Sequence, residues 1–105
     1  METWEFRIHM KNPHFFSGSS NIPLSQEVCS ELKLSPSKIQ IGTFPDGEIS
    51  VRILEDVSNR EVFVLQSLGI NPNRYLLELL IIIDALKRAS AKKITAIIPL
   101  SLIHI

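Results

Sequence analysis

The sequence predicts an α/β domain with a mainly parallel sheet flanked by helices. Three observations predict it. Segments of strand and helix character follow in the order strand, helix, two strands, strand, helix, strand. Alternation of that kind marks strands joined by helical crossovers. Val62-Phe63-Val64-Leu65 is an unbroken apolar, β-rich run, as expected of a strand covered on both faces. The two helical segments carry apolar residues at helical spacing, which gives each a face to lay on a sheet.

The elements follow in order. Residues 1–13 mix charges with Trp4, Phe6 and Ile8 without a clear period and stay unassigned. His14-Phe15-Phe16 is a short strand that feeds the tight loop Ser17-Gly18-Ser19-Ser20-Asn21. Residues 22–34 place Leu24, Val28, Cys29 and Leu32 on one helical stripe. Asn21 or Ser25 is the candidate cap, and Pro23 suits a first turn. Residues 38–41 and 49–54 alternate, with Ile39 and Ile41, then Ile49, Val51 and Ile53, on one face. Pro45-Asp46-Gly47 between them is turn chemistry, because glycine accepts a positive φ and aspartate bonds its own backbone. The pair reads as a hairpin.

A polar turn at 56–60 precedes the strand at 62–65. Asn71-Pro72-Asn73 then opens a long helix predicted to run to about Ala91, with Leu76, Leu77, Leu80, Ile83 and Leu86 as its apolar face. Lys87 and Arg88 lie near its end, where cations suit the helix dipole. Residues 94–98 form the last strand, stopped by Pro99.

Composition narrows the function classes. The chain has 105 residues, 45% of them hydrophobic, which permits a core but only a small one. Eleven basic and eleven acidic residues cancel, so no net field draws the chain to nucleic acid or an anionic membrane. Neither is expected as a partner. Cys29 is the single cysteine and reads as a small core residue in a reducing compartment. Residues 76–86, the most apolar stretch, are broken by Glu78 and Asp84 and are too short to span a bilayer. Residues 1–10 lack the long apolar stretch of a secretory signal. Cytoplasm is the expected location.

Several segments now stand in order: Phe16-Ser17-Gly18-Ser19, then Gly42-Thr43-Phe44-Pro45-Asp46-Gly47-Glu48-Ile49, then Val62-Phe63-Val64-Leu65-Gln66-Ser67. They continue with Leu77-Glu78-Leu79-Leu80-Ile81-Ile82-Ile83-Asp84-Ala85 and with Arg88-Ala89-Ser90-Ala91-Lys92-Lys93-Ile94-Thr95-Ala96-Ile97-Ile98-Pro99. In this register they resemble the opening segments of ribose-phosphate pyrophosphokinases (PRPP synthetases). The resemblance covers residues 14–99. It implies a phosphoribosyltransferase-like fold, here an incomplete N-terminal domain. It also implies a reaction, transfer of a pyrophosphoryl group from Mg-ATP to the C1 hydroxyl of ribose 5-phosphate, giving PRPP and AMP. Mg²⁺ is the implied cofactor, ATP and ribose 5-phosphate the implied small-molecule partners, and a homo-oligomer the implied assembly. In the family the active site borrows a loop with a Phe-x-Asp/Asn-x-Glu motif from a neighbouring subunit. The matching residues are Phe44, Asp46 and Glu48, expected to bind ATP.

The chemistry of that motif makes sense by itself. Phe44 offers a flat π-face on which adenine can stack. Asp46 or Glu48 can accept hydrogen bonds from an exocyclic amine. If the segment is extended, alternation sets all three on one side. Without the surrounding resemblance, such a turn would be read as a turn with an exposed aromatic.

Other polar features have plainer readings. The Ser17–Asn21 loop lacks the P-loop pattern and is expected to be an ordinary strand-to-helix turn rather than a phosphate cradle. His9, His14 and His104 are scattered, without the spacing of a metal site. Glu78 and Asp84, six apart, are expected to be solvated charges on different helix faces. The family often has an arginine directly after the valine of the 56–60 turn, near a phosphate-regulated site. Here Ser58 follows Val57 and the arginine is Arg60, so Arg60 is expected to be a solvated turn charge.

The family's downstream ATP-contacting segment, Mg-binding histidine and basic catalytic loop have no counterpart in this sequence. No catalytic residue and no metal ligand is therefore expected within it, and the chain by itself is expected to be inactive. Residues 100–105 do not resemble the family and read as a non-native tail, akin to translated adaptor sequence. Two other readings compete: a non-catalytic PRPP synthetase-associated regulatory protein, and a plain α/β interaction module without a nucleotide site.

Overall fold

The computed structural model describes residues 13–69 and 71–99. Residues 1–12 and 100–105 lie outside that description, and with them the expectation of a non-native tail. Seven elements follow in the predicted order: β1 (His14–Ser17), α1 (Ile22–Leu32), β2 (Ile39–Thr43), β3 (Ile49–Ile53), β4 (Glu61–Leu65), α2 (Pro72–Arg88) and β5 (Lys93–Ile97). β1, β4 and β5 make a parallel sheet in the order β1-β4-β5, while β2 and β3 form a separate antiparallel hairpin. The predicted α/β architecture with a mainly parallel sheet is the architecture observed.

β4 lies at the centre, and its alternation builds both cores. Val62 and Val64 join Phe16, Val57, Leu79, Ile82 and Leu86 in the larger cluster, against which the hairpin residues Ile39, Ile41, Val51 and Ile53 pack. Leu65 joins Phe15 and Cys29 in the smaller one, with Phe63, Leu24, Val28 and Leu34 around it. One face of the sheet thus carries α2 and the hairpin, the other α1. This is the doubly covered strand expected of an unbroken apolar run.

The caps follow from the residues. Asn21 caps α1, its Oδ1 accepting from the Leu24 amide at 3.1 Å, and Pro23 occupies the first turn. The helix stops two residues short of the predicted Leu34. Lys33 turns left-handed (φ 55°), and the Leu34 amide reaches back to the Cys29 carbonyl at 2.9 Å. Leu34 is thereby folded into the core. Ser37 then runs along β1, its amide donating to the Phe15 carbonyl at 2.8 Å and its hydroxyl accepting from the Phe15 amide at 3.2 Å. Asn71 caps α2 by accepting from the Arg74 amide at 3.4 Å. That helix ends at Arg88, three residues before the predicted Ala91, because Ser90 turns left-handed (φ 68°) and the Ala91 amide closes onto the Leu86 carbonyl at 3.2 Å.

The buried face of α2 agrees with the predicted one at Ile83 and Leu86 and differs at the other three positions. Glu78, Leu79, Ile82 and Leu86 are buried, whereas Leu76, Leu77 and Leu80 are 42%, 51% and 54% exposed. Residues 76–83 are apolar in every position but Glu78, so stripes of helical spacing can be drawn on more than one side. Periodicity names a stripe but cannot choose among several equally apolar ones. The face that wins includes a carboxylate.

Candidate functional site

Two places on this frame carry chemistry. The first is the turn that joins β2 to β3. Thr43 pairs with Ile49 as the last rung of the hairpin. The Phe44 amide then donates to the Glu48 carbonyl at 2.7 Å and the Gly47 amide to the Phe44 carbonyl at 2.8 Å. Gly47 has φ 95°, a conformation glycine adopts without a Cβ penalty. Asp46 Oδ1 accepts from the Glu48 amide at 3.1 Å, the side chain bonding the backbone two residues on. Residues 44–48 are therefore a closed turn and not an extended segment, so strand alternation does not apply to Phe44, Asp46 and Glu48. The turn gathers them instead at one exposed tip, with Phe44 51% exposed. A half-exposed aromatic on an internally hydrogen-bonded turn is a flat, poorly hydrated surface facing solvent.

The second place is the carboxyl end of β1 and β4, where the loops after both strands meet the first turns of α1 and α2. Glu78 reaches up from α2 and is 1% exposed. Its Oε2 accepts from the Ser19 amide at 2.7 Å and from Gln66 Nε2 at 2.8 Å, and its Oε1 accepts from the Ser19 hydroxyl at 2.8 Å. Gln66, equally buried, accepts at Oε1 from the Ser20 hydroxyl (2.7 Å) and the Ser20 amide (3.3 Å), and donates from Nε2 to the Tyr75 carbonyl at 3.2 Å. The Ser67 amide donates to the Ser20 hydroxyl oxygen at 3.0 Å.

Glu78 is thus not the solvated charge that its spacing from Asp84 predicts. It is desolvated at the price of three accepted hydrogen bonds, which is how a buried carboxylate is tolerated. Asp84 does face solvent, in an exposed pair with Arg88 at 2.6 Å worth little to stability. Among the described residues no buried side-chain nitrogen or oxygen lacks a partner. The loop donors that could hold a phosphate are occupied by Glu78 and Gln66, and a carboxylate beneath the loop opposes an anion. This cluster is a clasp between two loops. Sequence reasoning missed it, although a signal was present: Glu78 shares the helical spacing of Tyr75, Leu79 and Ile82.

The remaining candidates are placed simply. Cys29 is buried in the smaller core, and desolvation raises its thiol pKa, the opposite of what a nucleophile needs. His14 Nδ1 and the Ser37 hydroxyl share a hydrogen bond at 3.0 Å. Val57 is buried, and the 56–60 turn is closed by the Arg60 amide on the Val57 carbonyl at 3.0 Å and by Asp56 Oδ1, which accepts from the Ser58 amide at 3.1 Å. Arg60 is half-buried rather than fully solvated. Among the described residues no three His, Cys, Asp or Glu side chains converge as a metal site would need. No helix among them is long and apolar enough to cross a membrane.

Comparison with known proteins accords with this frame. The family model described as the N-terminal domain of ribose phosphate pyrophosphokinase matches residues 14–102. The ribose-phosphate pyrophosphokinase of Clostridium perfringens is 48% identical over 91 residues, covering 87% of this chain and 28% of that protein. The crystal structure of the phosphoribosylpyrophosphate synthetase of Mycobacterium smegmatis superposes with a TM-score of 0.81 at 45% identity, over 85% of this chain and 30% of that one. A purine phosphoribosyltransferase of Pyrococcus horikoshii, 16% identical, shares the fold at a TM-score of 0.55, over 91% of this chain and 65% of that one. The chain spans somewhat more than a quarter of the length of the curated relative. The match of the family model along residues 14–102, with relatives at nearly half identity over most of the chain, places this chain in the ribose phosphate pyrophosphokinase family, over the region of its N-terminal domain.

Proposed function

We propose that this domain serves a ribose-phosphate diphosphokinase, which moves the pyrophosphoryl group of Mg-ATP to the C1 hydroxyl of ribose 5-phosphate in the supply of nucleotide precursors. Its part in that reaction is to bind ATP through Phe44, Asp46 and Glu48. Phe44 stacks on adenine, and a carboxylate of Asp46 or Glu48 accepts from the exocyclic amine. Because the turn resembles the loop that the family lends to a neighbouring subunit, the site it serves is that of a neighbour in a cytoplasmic homo-oligomer.

The supporting observation is the exposure of Phe44 on a turn whose shape is set by its own hydrogen bonds. A preformed aromatic surface loses little conformational freedom on binding. Mg²⁺, which such a reaction needs to neutralise charge on the transferred group, does not fit the residues in hand, since no cluster of metal-ligating side chains is found among those described. Its ligands would come from the rest of the enzyme.

In the full-length protein carrying this domain, Phe44→Ala is expected to raise the KM for ATP roughly 5- to 150-fold, the equivalent of about 1–3 kcal/mol of base stacking. The KM for ribose 5-phosphate should stay within about twofold. Steady-state kinetics with each substrate varied in turn checks this, and an unchanged KM for ATP would remove the nucleotide role from the turn. The purified 105-residue chain is expected to form no PRPP from Mg-ATP and ribose 5-phosphate. Product detected above the blank would mean that the catalytic groups lie within this sequence.

A further inference from the structure

We infer that Arg74 is a positioning residue for the nucleotide-binding turn, acting through Thr43; the inference rests on the ATP-binding reading of Phe44. The body of the hairpin is seated on the larger core through Ile39, Ile41, Val51 and Ile53. Residues 44–48, by contrast, are exposed at every position. Their internal hydrogen bonds fix the shape of the turn and the buried Ile49 roots its β3 side, which leaves the exposed β2 side at Thr43 to be held. Thr43, the last residue of β2, is bonded directly to Phe44 and is itself exposed. Its hydroxyl accepts from Arg74 Nη2 at 3.4 Å, across 31 residues of sequence.

The place of the arginine supports the same conclusion. Arg74 lies in the first turn of α2, its amide held by the Asn71 cap. A cation there sits at the positive end of the helix dipole, where it is disfavoured, and that turn contains no acidic residue to offset it. The guanidinium gains its partner by leaving the helix and meeting the root of the turn. α2 is anchored beneath by Leu79, Ile82 and Leu86, so it is a fixed platform from which to hold Thr43. Without the tie, the turn samples directions in which Phe44 does not meet adenine. The apparent affinity then falls by the fraction of time it is correctly placed, while chemistry after binding is untouched.

The test is steady-state kinetics on the full-length protein. Arg74→Ala is expected to raise the KM for ATP roughly 3- to 10-fold with kcat within about twofold. Thr43→Val should reproduce the effect, and the double variant should be no worse than the poorer single, since both remove one interaction. Arg74→Lys should recover part of the loss, because it keeps a donor on a long stem without the planar fork. Unchanged melting curves establish that none of these acts by unfolding. Arg74→Ala with normal KM for ATP, while Phe44→Ala raises it, would overturn the positioning role and leave the ATP-binding reading intact. Arg74→Ala with raised KM but silent Thr43→Val would also overturn it, placing the charge on the nucleotide instead. Phe44→Ala without effect would overturn the ATP-binding reading itself.

Discussion

Glu78→Leu is expected to cost the domain about 2–4 kcal/mol, a large share of the roughly 5–15 kcal/mol total stability of small domains. Leucine fills much the same volume and suits the apolar surroundings of α2, so packing alone would predict a neutral or stabilising change. The loss comes from the other side of each hydrogen bond. The Ser19 amide, the Ser19 hydroxyl and Gln66 Nε2 all donate to this carboxylate. Removing the acceptor leaves Gln66, 1% exposed, with one Nε2 hydrogen bond fewer where water cannot reach it, and releases the exposed Ser19 from its tie to α2. A stranded buried donor costs about 1–3 kcal/mol.

Glu78→Gln separates this from any effect of size. A carboxamide oxygen in the place of Oε2 still accepts from the Ser19 amide and Gln66. The amide nitrogen then meets the Ser19 hydroxyl, which rotates to accept. That variant is expected to lose less than about 1.5 kcal/mol, because only the charge assistance is gone. Urea unfolding followed by circular dichroism measures both. A Glu78→Leu midpoint close to that of the parent would show that the clasp does not hold the two loops.

What was legible in the sequence follows from how locally each feature is determined. The order of elements, the start of α2 at Asn71-Pro72 and the hairpin turn rest on residues close together in the chain and appear where expected, and of the two candidate caps for α1 it is Asn21 that serves. The doubly covered β4 was legible because an unbroken run admits no exposed face. Helix ends were read too long by two or three residues, since Lys33 and Ser90 take left-handed conformations that their side chains do not advertise. The face of α2 was misread at three positions for a different reason. Leu76, Leu77 and Leu80 satisfy the helical period as well as Leu79 and Ile82 do, and only the sheet beneath decides. Glu78 was misread with it, because its partners lie 12 and 59 residues away.

The candidate turn was legible as chemistry but not as geometry. Phe44, Asp46 and Glu48 are gathered by a closed turn rather than by strand alternation. One consequence is that Asp46 has a structural duty, holding the Glu48 amide, besides any contact with a ligand. Substitutions at Asp46 would mix the two effects, so Phe44 is the cleaner probe of binding.

Gly18→Ala is expected to destabilise the domain by about 3 kcal/mol or more, although a single methyl is added. Gly18 does not have a left-handed φ, unlike Gly47 and Gly69, so the constraint is space and not backbone conformation. A Cβ at this position would lie under 3.0 Å from Oε1, Cδ and Nε2 of Gln66. A flexible side chain would normally swing aside. Gln66 cannot, because Ser20 holds its oxygen while Tyr75 and Glu78 hold its nitrogen. Nor can the loop easily retreat, since the Gly18 amide donates to the Leu65 carbonyl at 2.9 Å and continues the β1–β4 pairing. The methyl therefore either breaks the clasp or pries the two strands apart. Gln66→Ala alone is expected to cost about 2–4 kcal/mol through stranded partners. In the Gly18→Ala background the same change makes room for the methyl, so the double variant should be at least about 1 kcal/mol better than the sum of the singles. Denaturant unfolding of the four proteins in the cycle measures the coupling. Strict additivity would mean that Gln66 is not what limits position 18.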